Sequence, residues 1–237
     1  FGNPENPEQM WQFAEATKGV ADACKGIRLK HNPDHTVPII AGNVSFYNES
    51  SAGAIPPSPI VSCLGRLSDV DKAITTGFKK NNSKIMLIGE RKKELGGSLY
   101  YSLFNHLGKD LPKPNLDQVE SEIWALTDLI DNRLVLSAHD ISDGGVAITL
   151  SEMSFYNEIG FEVKINSADR PDVWLFSETG GFIIELEENV LPQAQAVMSK
   201  YNIHYEEIGE TTQHQAMVFG EIIHMPILKA KDSWQRS

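Results

Sequence analysis

The alternation of short apolar strands with amphipathic helices after residue 83 is the feature that most constrains this fold. Strands are predicted at "KIMLIG", "RLVLSAHD", "FEVKI", "GFIIELE", "HYEEIG" and "AMVFGEI". Helices are predicted over residues 98–107, 116–131, 145–157 and 190–201. Strands that alternate with helices in this way indicate α/β or α+β packing around a sheet.

A smaller unit is predicted ahead of that region. Asn6, Pro7 and Gln9 form a capping-box arrangement at the start of an apolar-striped helix over residues 7–25. Gly26 stands where such a helix can end.

Two apolar stretches follow this helix and are joined by a turn at "NESSAG". They are "VPIIAGNVSF" and "PIVSCLGRL", and they predict a hairpin-like pair of strands. The polar stretch 66–83 then separates two units, so we expect residues 1–75 to form one subdomain and residues 76–237 the other.

Composition argues against several classes of protein. The chain has 237 residues, of which 41% are hydrophobic, and this is enough to bury a large core. A formal net charge of −11 argues against non-specific nucleic-acid binding, which depends on Lys and Arg. No apolar stretch reaches the roughly 20 residues of a membrane span, and no charged-then-apolar leader opens the chain. Cys24 and Cys63 are predicted as small core residues, so a reducing, cytoplasmic setting is expected.

Polar residues cluster at the end of the first predicted strand. Gly42 would let a ligand approach the backbone, and Asn43 offers an uncharged oxygen that Mg²⁺ can accept. Because side chains alternate along a strand, Asn43, Ser45 and Tyr47 are predicted on one face, with Asn48 just beyond. The segment is either a ligand-binding wall or a solvent-facing strand that ends in an Asn-rich turn.

A second cluster, "SAHDISDGG", follows an apolar strand and leads into a helix. Free N–H groups and the helix dipole attract phosphate at such a position. Carboxylates would repel phosphate there unless a divalent cation bridged them, so Asp140, Mg²⁺ and a nucleotide form a coherent unit. The alternative is that Ser142 or Asp143 caps the helix and that His139 is structural.

A third cluster, "LFSETGG", places Glu178 before a buried strand, where it either orients a ligand or caps a turn. The sequence contains no Walker-type phosphate loop, no GxGxxG after a strand and no nucleophile elbow.

Together these stretches resemble one family. "FGNPENPEQMWQFAEATKGVADAC", "VPIIAGNVSFYNES", "LGGSLYYSL", "LSAHDISDGGVAITLSEM" and "LFSETGGFIIEL" are similar to the second half of phosphoribosylformylglycinamidine synthase. The combination of "GNVSFYN" with "AHDISDGG" carries most of the resemblance, because related enzymes that share the fold lack the first of these motifs.

The resemblance implies an α+β (α/β) fold like that of aminoimidazole ribonucleotide synthase. Residues 1–75 would be the later part of an A-type, barrel-forming subdomain, and residues 76–237 a B-type α/β sandwich. It implies an ATP-dependent ligase that converts formylglycinamide ribonucleotide, ATP and glutamine-derived ammonia to the amidine, ADP and phosphate in purine synthesis. The implied partners are the first half of the synthetase and a glutaminase subunit or domain.

The resemblance also assigns residue roles. Gly42 would contact ATP, Asn43 would bind Mg²⁺ and Ser45 would contact the substrate. Asp140 and Ser142 would hold Mg²⁺ and a second, non-reacting nucleotide. Weaker pocket candidates are Tyr47, Asn48, His139, Asp143 and Glu178.

Two departures from the family pattern stand out. The region "KGIRLKHNPDHTVPII" is long, and "SETGGFIIEL" lacks the arginine usual just before that strand, which weakens the case for a charged clamp there.

The family's catalytic histidine belongs to the first half, so no catalytic residue is expected in this chain. The chain opens with "FGNPENPEQMW" and no Met, so we expect a segment of a longer protein that is inactive alone. Two alternatives stay open: a scaffold half that binds a structural nucleotide, or another ATP-dependent enzyme of this fold, such as a kinase.

Overall fold

The computed structural model describes residues 1–165 and 170–236. The chain divides into two compact units, Phe1–Ser68 and Asp69–Ser237. This division falls somewhat before the expected boundary at residue 75. That the two parts correspond to A-type and B-type subdomains stays a prediction.

Helix α1 (Pro7–Gly26) is the main element of the first unit, and it confirms the predicted helix. The Asn6 side chain caps it by accepting a hydrogen bond from the Glu8 N–H at 3.0 Å. The Asn6 N–H donates instead to the Asn3 carbonyl, so Gln9 does not close the predicted capping box.

Two small antiparallel pairs complete the regular structure of this fully described unit. They are β1 (Arg28–Leu29) with β2 (Asn32–Thr36), and β3 (Glu49–Ser50) with β4 (Gly53–Ala54). The second pair forms a hairpin at the predicted turn, although each of its strands has only two residues.

The longer strands predicted at "VPIIAGNVSF" and "PIVSCLGRL" are wrong, because residues 37–48 and 55–67 have no regular secondary structure. A strand requires a neighbour that continues its backbone hydrogen bonds. In the described residues the backbone bonds of these segments, such as Val37 to Ile27 and Tyr47 to Gly2, are isolated and form no ladder. Their apolar side chains are correspondingly exposed, with Ile40 at 74% and Ile60 at 95%. Cys63 is exposed too, so its predicted core position is also wrong.

The second unit is built on a mixed seven-stranded sheet. Its strands are β5 (Lys84–Ile88), β6 (Ser137–Asp140), β7 (Gly160–Val163), β8 (Phe182–Leu186), β9 (Tyr205–Thr212), β10 (Ala216–Phe219) and β11 (Ile223–Pro226). Their order is β11-β10-β7-β9-β5-β8-β6. Strand β7 is parallel to β10, and the other neighbouring pairs are antiparallel. The six predicted strands are confirmed, and β11 was not predicted.

Six α-helices of this unit lie within the described residues. They are α2 (Leu99–Ser102), α3 (Leu116–Asp131), α4 (Gly145–Asn157), α5 (Pro171–Phe176), α6 (Leu191–Lys200) and α7 (Ile227–Arg236). The bounds of α3 and α4 match the prediction. Helix α2 is far shorter than the predicted 98–107, and α5 and α7 were not predicted. Across the described parts of the chain, none of the helices has both the length and the apolar character to cross a membrane.

Both faces of the sheet are covered, which makes three layers. Along β5, Ile85 and Leu87 join one core cluster while Met86 and Ile88 join the other, as the two-residue period of a strand requires. The first cluster includes residues of α4, α5 and α7, and the second includes residues of α3 and α6. This arrangement confirms the predicted α+β (α/β) class.

Glu185 is a fully buried carboxylate on β8 that fixes the start of the second unit. It accepts hydrogen bonds from the Lys79 N–H at 2.8 Å, the Lys80 N–H at 3.0 Å and the Ser137 hydroxyl at 2.7 Å. This side chain therefore holds the segment before β5 against the sheet, together with the Thr211 hydroxyl, which donates to the Lys80 carbonyl at 2.7 Å.

Replacing Glu185 by Ala should lower the free energy of unfolding by about 3–5 kcal/mol, because it leaves these donors without an acceptor. Urea denaturation followed by circular dichroism measures the loss. Glu187→Ala, which removes a more exposed partner of Lys80, is the control and should cost less than about 1 kcal/mol. Equal losses in the two variants would contradict the assigned role.

Glu122 on α3 is a second buried carboxylate, 4% exposed. Burial raises its pKa, while a hydrogen bond from the Gln118 side chain at 2.9 Å and the nearby Arg91 charge act in the opposite direction. Because the folded state holds this proton more tightly than the unfolded state, the residue's contribution to stability falls as pH rises from the unfolded to the folded pKa.

Replacing Glu122 by Gln should therefore change stability in a pH-dependent way. The free energy of unfolding of the variant minus that of the wild type should increase between pH 4 and pH 7, since Gln carries no charge to bury. Denaturant titrations at several pH values measure it, with the exposed Glu90→Gln as a control for losing one negative charge. A difference that is flat or falls with pH would contradict the prediction.

Candidate functional site

Antiparallel pairing brings three of the sequence motifs to one edge of the sheet. Phe182, the first residue of β8, pairs with Ile88 at the end of β5 and with Asp140 at the end of β6. Residues 89–98 and 140–145 follow β5 and the end of β6 here, and residues 177–181 lead into β8. We call these three segments the motif edge.

Glu178 connects two of the helices that start at the motif edge. Its Oε1 accepts a hydrogen bond from the Gly144 N–H at 2.9 Å and another from the Leu99 N–H at 2.8 Å. A carboxylate at helix N-termini satisfies free N–H groups and interacts favourably with the helix dipoles. The contacts of Glu178 are therefore with the N-termini of two helices, and its role in orienting a ligand stays a prediction.

Two glycines at the start of α4, its N-cap and its first residue, are needed for its approach to the turn at residues 177–181. Gly144 and Gly145 both have left-handed backbone, with φ of 78° and 67°. A Cβ on Gly145 would lie 2.7 Å from the Ser177 carbonyl oxygen, so only glycine fits.

The N-cap of α4 is Gly144, and its N–H donates to Glu178 and not to the side chain of Ser142 or Asp143. The alternative in which Ser142 or Asp143 caps the helix is therefore wrong. The Ser142 carbonyl accepts the Gly145 N–H at 3.0 Å, and the side chains of Ser142 and Asp143 are exposed. Both side chains are thus accessible to a ligand.

Arg91 and Glu94 hold the turn at residues 177–181. The Arg91 guanidinium donates to the Ser177 carbonyl at 3.4 Å and to the Gly180 carbonyl. The Glu94 carboxylate accepts from the Thr179 hydroxyl at 2.8 Å. Burial lowers the pKa of Arg91 to about 10, which leaves the guanidinium charged at neutral pH.

The sequence lacks the arginine usual just before β8, which weakened the case for a charged clamp at this turn, but a guanidinium contacts the turn from elsewhere in the chain. Arg91 reaches it from the loop after β5, across a sequence separation of 86 residues from Ser177. Neither Arg91 nor Glu94 was singled out in the sequence, and no local pattern could have connected them to the turn.

His139 lies between two carboxylates. Its Nδ1 is 3.2 Å from Oδ1 of Asp140 and 2.8 Å from the Asp140 carbonyl oxygen. Its Nε2 is 3.2 Å from Oε2 of Glu152 on α4. The side chain of Asp140 is 63% exposed while that of His139 is 16% exposed, so the carboxylate faces solvent with the ring behind it.

The other predicted residues lie in the first unit. Gly42, Asn43 and Ser45 are exposed, and no heavy atom would lie within 4 Å of a Cβ on Gly42. Tyr47 has a φ of 59°, so the side-chain alternation that predicted a shared face ends before it. The Asn48 amide donates to the carbonyl and hydroxyl of Ser45, both at 3.0 Å, and so holds the segment in shape.

Among residues 1–165 and 170–236, no three or more His, Cys, Asp or Glu side chains form a group that could hold a metal ion. Asp140 offers one exposed carboxylate and Asn43 one amide oxygen, each within its own unit. Such sparse donor sets fit Mg²⁺, which usually keeps several waters and binds through one or two carboxylates plus phosphates of its substrate. The fit therefore depends on a bound nucleotide.

Sequence comparison finds PurL subunits among the proteins that this chain is similar to. The PurL subunit of phosphoribosylformylglycinamidine synthase from Methanothrix thermoacetophila is 39% identical over 215 residues, and that from Thermoplasma volcanium is 37% identical over 240 residues. These alignments cover 90% and 99% of this chain but only 28% and 30% of the relatives. The chain thus spans less than a third of the length of these curated relatives.

Solved structures with a similar fold include Thermotoga maritima PurL complexed with FGAR, with a TM-score of 0.60 and 11% identity over 67% of this chain and 29% of that one. The same protein complexed with ATP gives a TM-score of 0.56 and 15% identity, over 67% of this chain and 27% of that one.

A family model described as "AIR synthase related protein, C-terminal domain" matches residues 80–220. Since that match covers more than half of the sequence, the chain belongs to the AIR synthase related family and contains its C-terminal domain.

Proposed function

We propose that the chain is the C-terminal part of a PurL-type ligase. The complete enzyme would convert formylglycinamide ribonucleotide, ATP and glutamine-derived ammonia to formylglycinamidine ribonucleotide, ADP and phosphate. The observation that carries the proposal is the 37% identity to a PurL subunit over 99% of this chain. That alignment includes the first unit, which lies outside the matched C-terminal domain.

The proposed chemistry replaces a carbon–oxygen bond by a carbon–nitrogen bond. ATP transfers its γ-phosphoryl group to the amide oxygen of the substrate, which gives ADP and an iminophosphate. Ammonia then adds to the carbon, and phosphate leaves with the oxygen. Positioning and charge stabilisation supply most of the rate in such a reaction.

Three residues of the first unit would act in this step. The Gly42 backbone would lie against ATP, the Asn43 amide oxygen would bind Mg²⁺, and the Ser45 hydroxyl would contact the substrate. Their exposure supports this assignment, because ligands can reach all three. When bound, Mg²⁺ screens the charge of the phosphates.

The motif edge would hold a second, non-reacting nucleotide through Asp140 and Ser142. Within residues 140–145 and 177–181 the charged side chains are Asp140, Asp143 and Glu178, and these three carboxylates would repel a bare phosphate beside them. Mg²⁺ on Asp140 would offset that repulsion and take its other ligands from phosphate oxygens and water. The exposure of the Asp140 and Ser142 side chains supports the proposal.

The remaining part of the synthetase would cover the open side of the first unit. Exposed Ile40, Ile60 and Leu64 lie on segments without strand partners, and contact with further polypeptide would bury them. A glutaminase subunit or domain would supply the ammonia.

The 237-residue chain alone should form no amidine from ATP, formylglycinamide ribonucleotide and ammonium, because the catalytic histidine is expected in the first half. Product formation is followed chromatographically, with the complete synthetase as the positive control. Turnover by the chain alone at a rate near that of the control would contradict the proposal. ATP hydrolysis without the ribonucleotide would instead favour a stand-alone kinase.

The two proposed sites should respond differently to mutation in the complete synthetase. Asn43→Ala should lower kcat by about 100-fold or more, because it removes a Mg²⁺ ligand from the reacting site. It should leave the second, non-reacting nucleotide bound at the motif edge. Asp140→Ala should weaken Mg²⁺-dependent ADP binding by at least about tenfold. Steady-state kinetics and calorimetry with ADP and Mg²⁺ measure the two effects.

Asp34→Ala, on an exposed strand of the first unit, is the control for loss of a carboxylate. Unchanged turnover in Asn43→Ala, together with lost nucleotide binding in Asp140→Ala, would favour the scaffold alternative.

A further inference from the structure

The contacts of His139 continue beyond the motif edge to the last helix of the chain. Glu152, which faces Nε2 of His139, accepts a hydrogen bond from the Trp234 Nε1 through its other oxygen at 3.2 Å. The Trp234 ring lies 5.7 Å from the Phe155 ring, so α7 also packs on α4 at this point. A chain of polar contacts therefore runs from Asp140 through His139 and Glu152 to Trp234.

The placement of the ring decides what His139 can do. Its Nε2 faces the Glu152 carboxylate, and its side chain is only 16% exposed. Its Nδ1 lies 2.8 Å from the Asp140 carbonyl oxygen and 3.2 Å from Oδ1 of the same residue. A ligand on the solvent side would therefore meet the Asp140 carboxylate before the ring. His139 is placed to orient Asp140 and is poorly placed to touch the ligand itself.

We propose that His139 is a positioning residue for Asp140, and that Glu152 and Trp234 fix its ring from the opposite side. A carboxylate that is 63% exposed would otherwise exchange among rotamers and lose that freedom on binding a ligand. A ring that holds the carboxylate removes part of this cost in advance, as the hydrogen-bond partners of metal ligands do. The consequence for Mg²⁺ rests on the proposed function, while the orientation of Asp140 does not.

The experiment has one arm that needs no ligand. Three-bond NMR couplings report the χ1 rotamer of Asp140 in the 237-residue chain. The wild type should show one dominant rotamer, and His139→Gln should show averaging. Trp234→Phe keeps an aromatic ring but loses the N–H donor, so it should give partial averaging. His224→Gln changes an exposed histidine on β11 and should leave the couplings unchanged.

The second arm measures ADP affinity by calorimetry with and without Mg²⁺. His139→Gln should weaken binding in the presence of Mg²⁺ by about 10- to 100-fold. Binding without Mg²⁺ and the melting temperature should stay at the values of His224→Gln, since a purely structural role would change both.

Each outcome decides a separate point. Rotamer averaging of Asp140 in the wild type would overturn the inference, as would equal losses of ADP binding with and without Mg²⁺ in His139→Gln. If wild-type chain does not bind ADP with Mg²⁺, the proposed nucleotide site fails, and the couplings alone decide whether His139 positions Asp140.

Discussion

The pairing of β8 with both β5 and β6 is the constraint on which the second unit depends. Ile183 and Glu185 of β8 point to one face of the sheet, and Ile184 and Leu186 to the other. A shift of the register by one residue would exchange the two sets, and Glu185 would lose the donors that its carboxylate accepts. The same register places Phe182 beside Ile88 and Asp140, so the core and the motif edge are fixed together.

Elements governed by local patterns could be predicted from the sequence. The start of α3 follows from an Asn cap before a helical apolar stripe, and the start of α4 from the glycine pair at residues 144 and 145. The strands predicted over 37–46 and 59–67 are wrong because apolar character alone does not make a strand. Pairing decides that, and the first unit lacks the neighbours these segments need within its described residues.

The site could be predicted only in part, for a similar reason. The three motifs were visible as separate stretches, and the sheet then placed all three at one edge. The contacts that shape the edge join residues far apart in sequence, such as Leu99 with Glu178 and Arg91 with Gly180. One expectation is reversed, because the Gly144 N–H, which was expected to bind phosphate, donates to the Glu178 carboxylate. Any nucleotide there must either use other donors or displace Glu178.

The strand order has a consequence for how the protein is made. In the seven-stranded sheet, β10 with β11 is the one pair of neighbours that are also consecutive in sequence among the described strands. Strands β5 and β6 both pair with β8, and β7 pairs with β9 and β10, so the partners of all three are synthesised later than they are. A nascent chain leaving the ribosome therefore carries three apolar strands without partners until Phe182 and later residues emerge. Such long-range pairing slows folding and exposes unpaired edges, so cellular chaperones have most to protect during synthesis of the middle of this polypeptide.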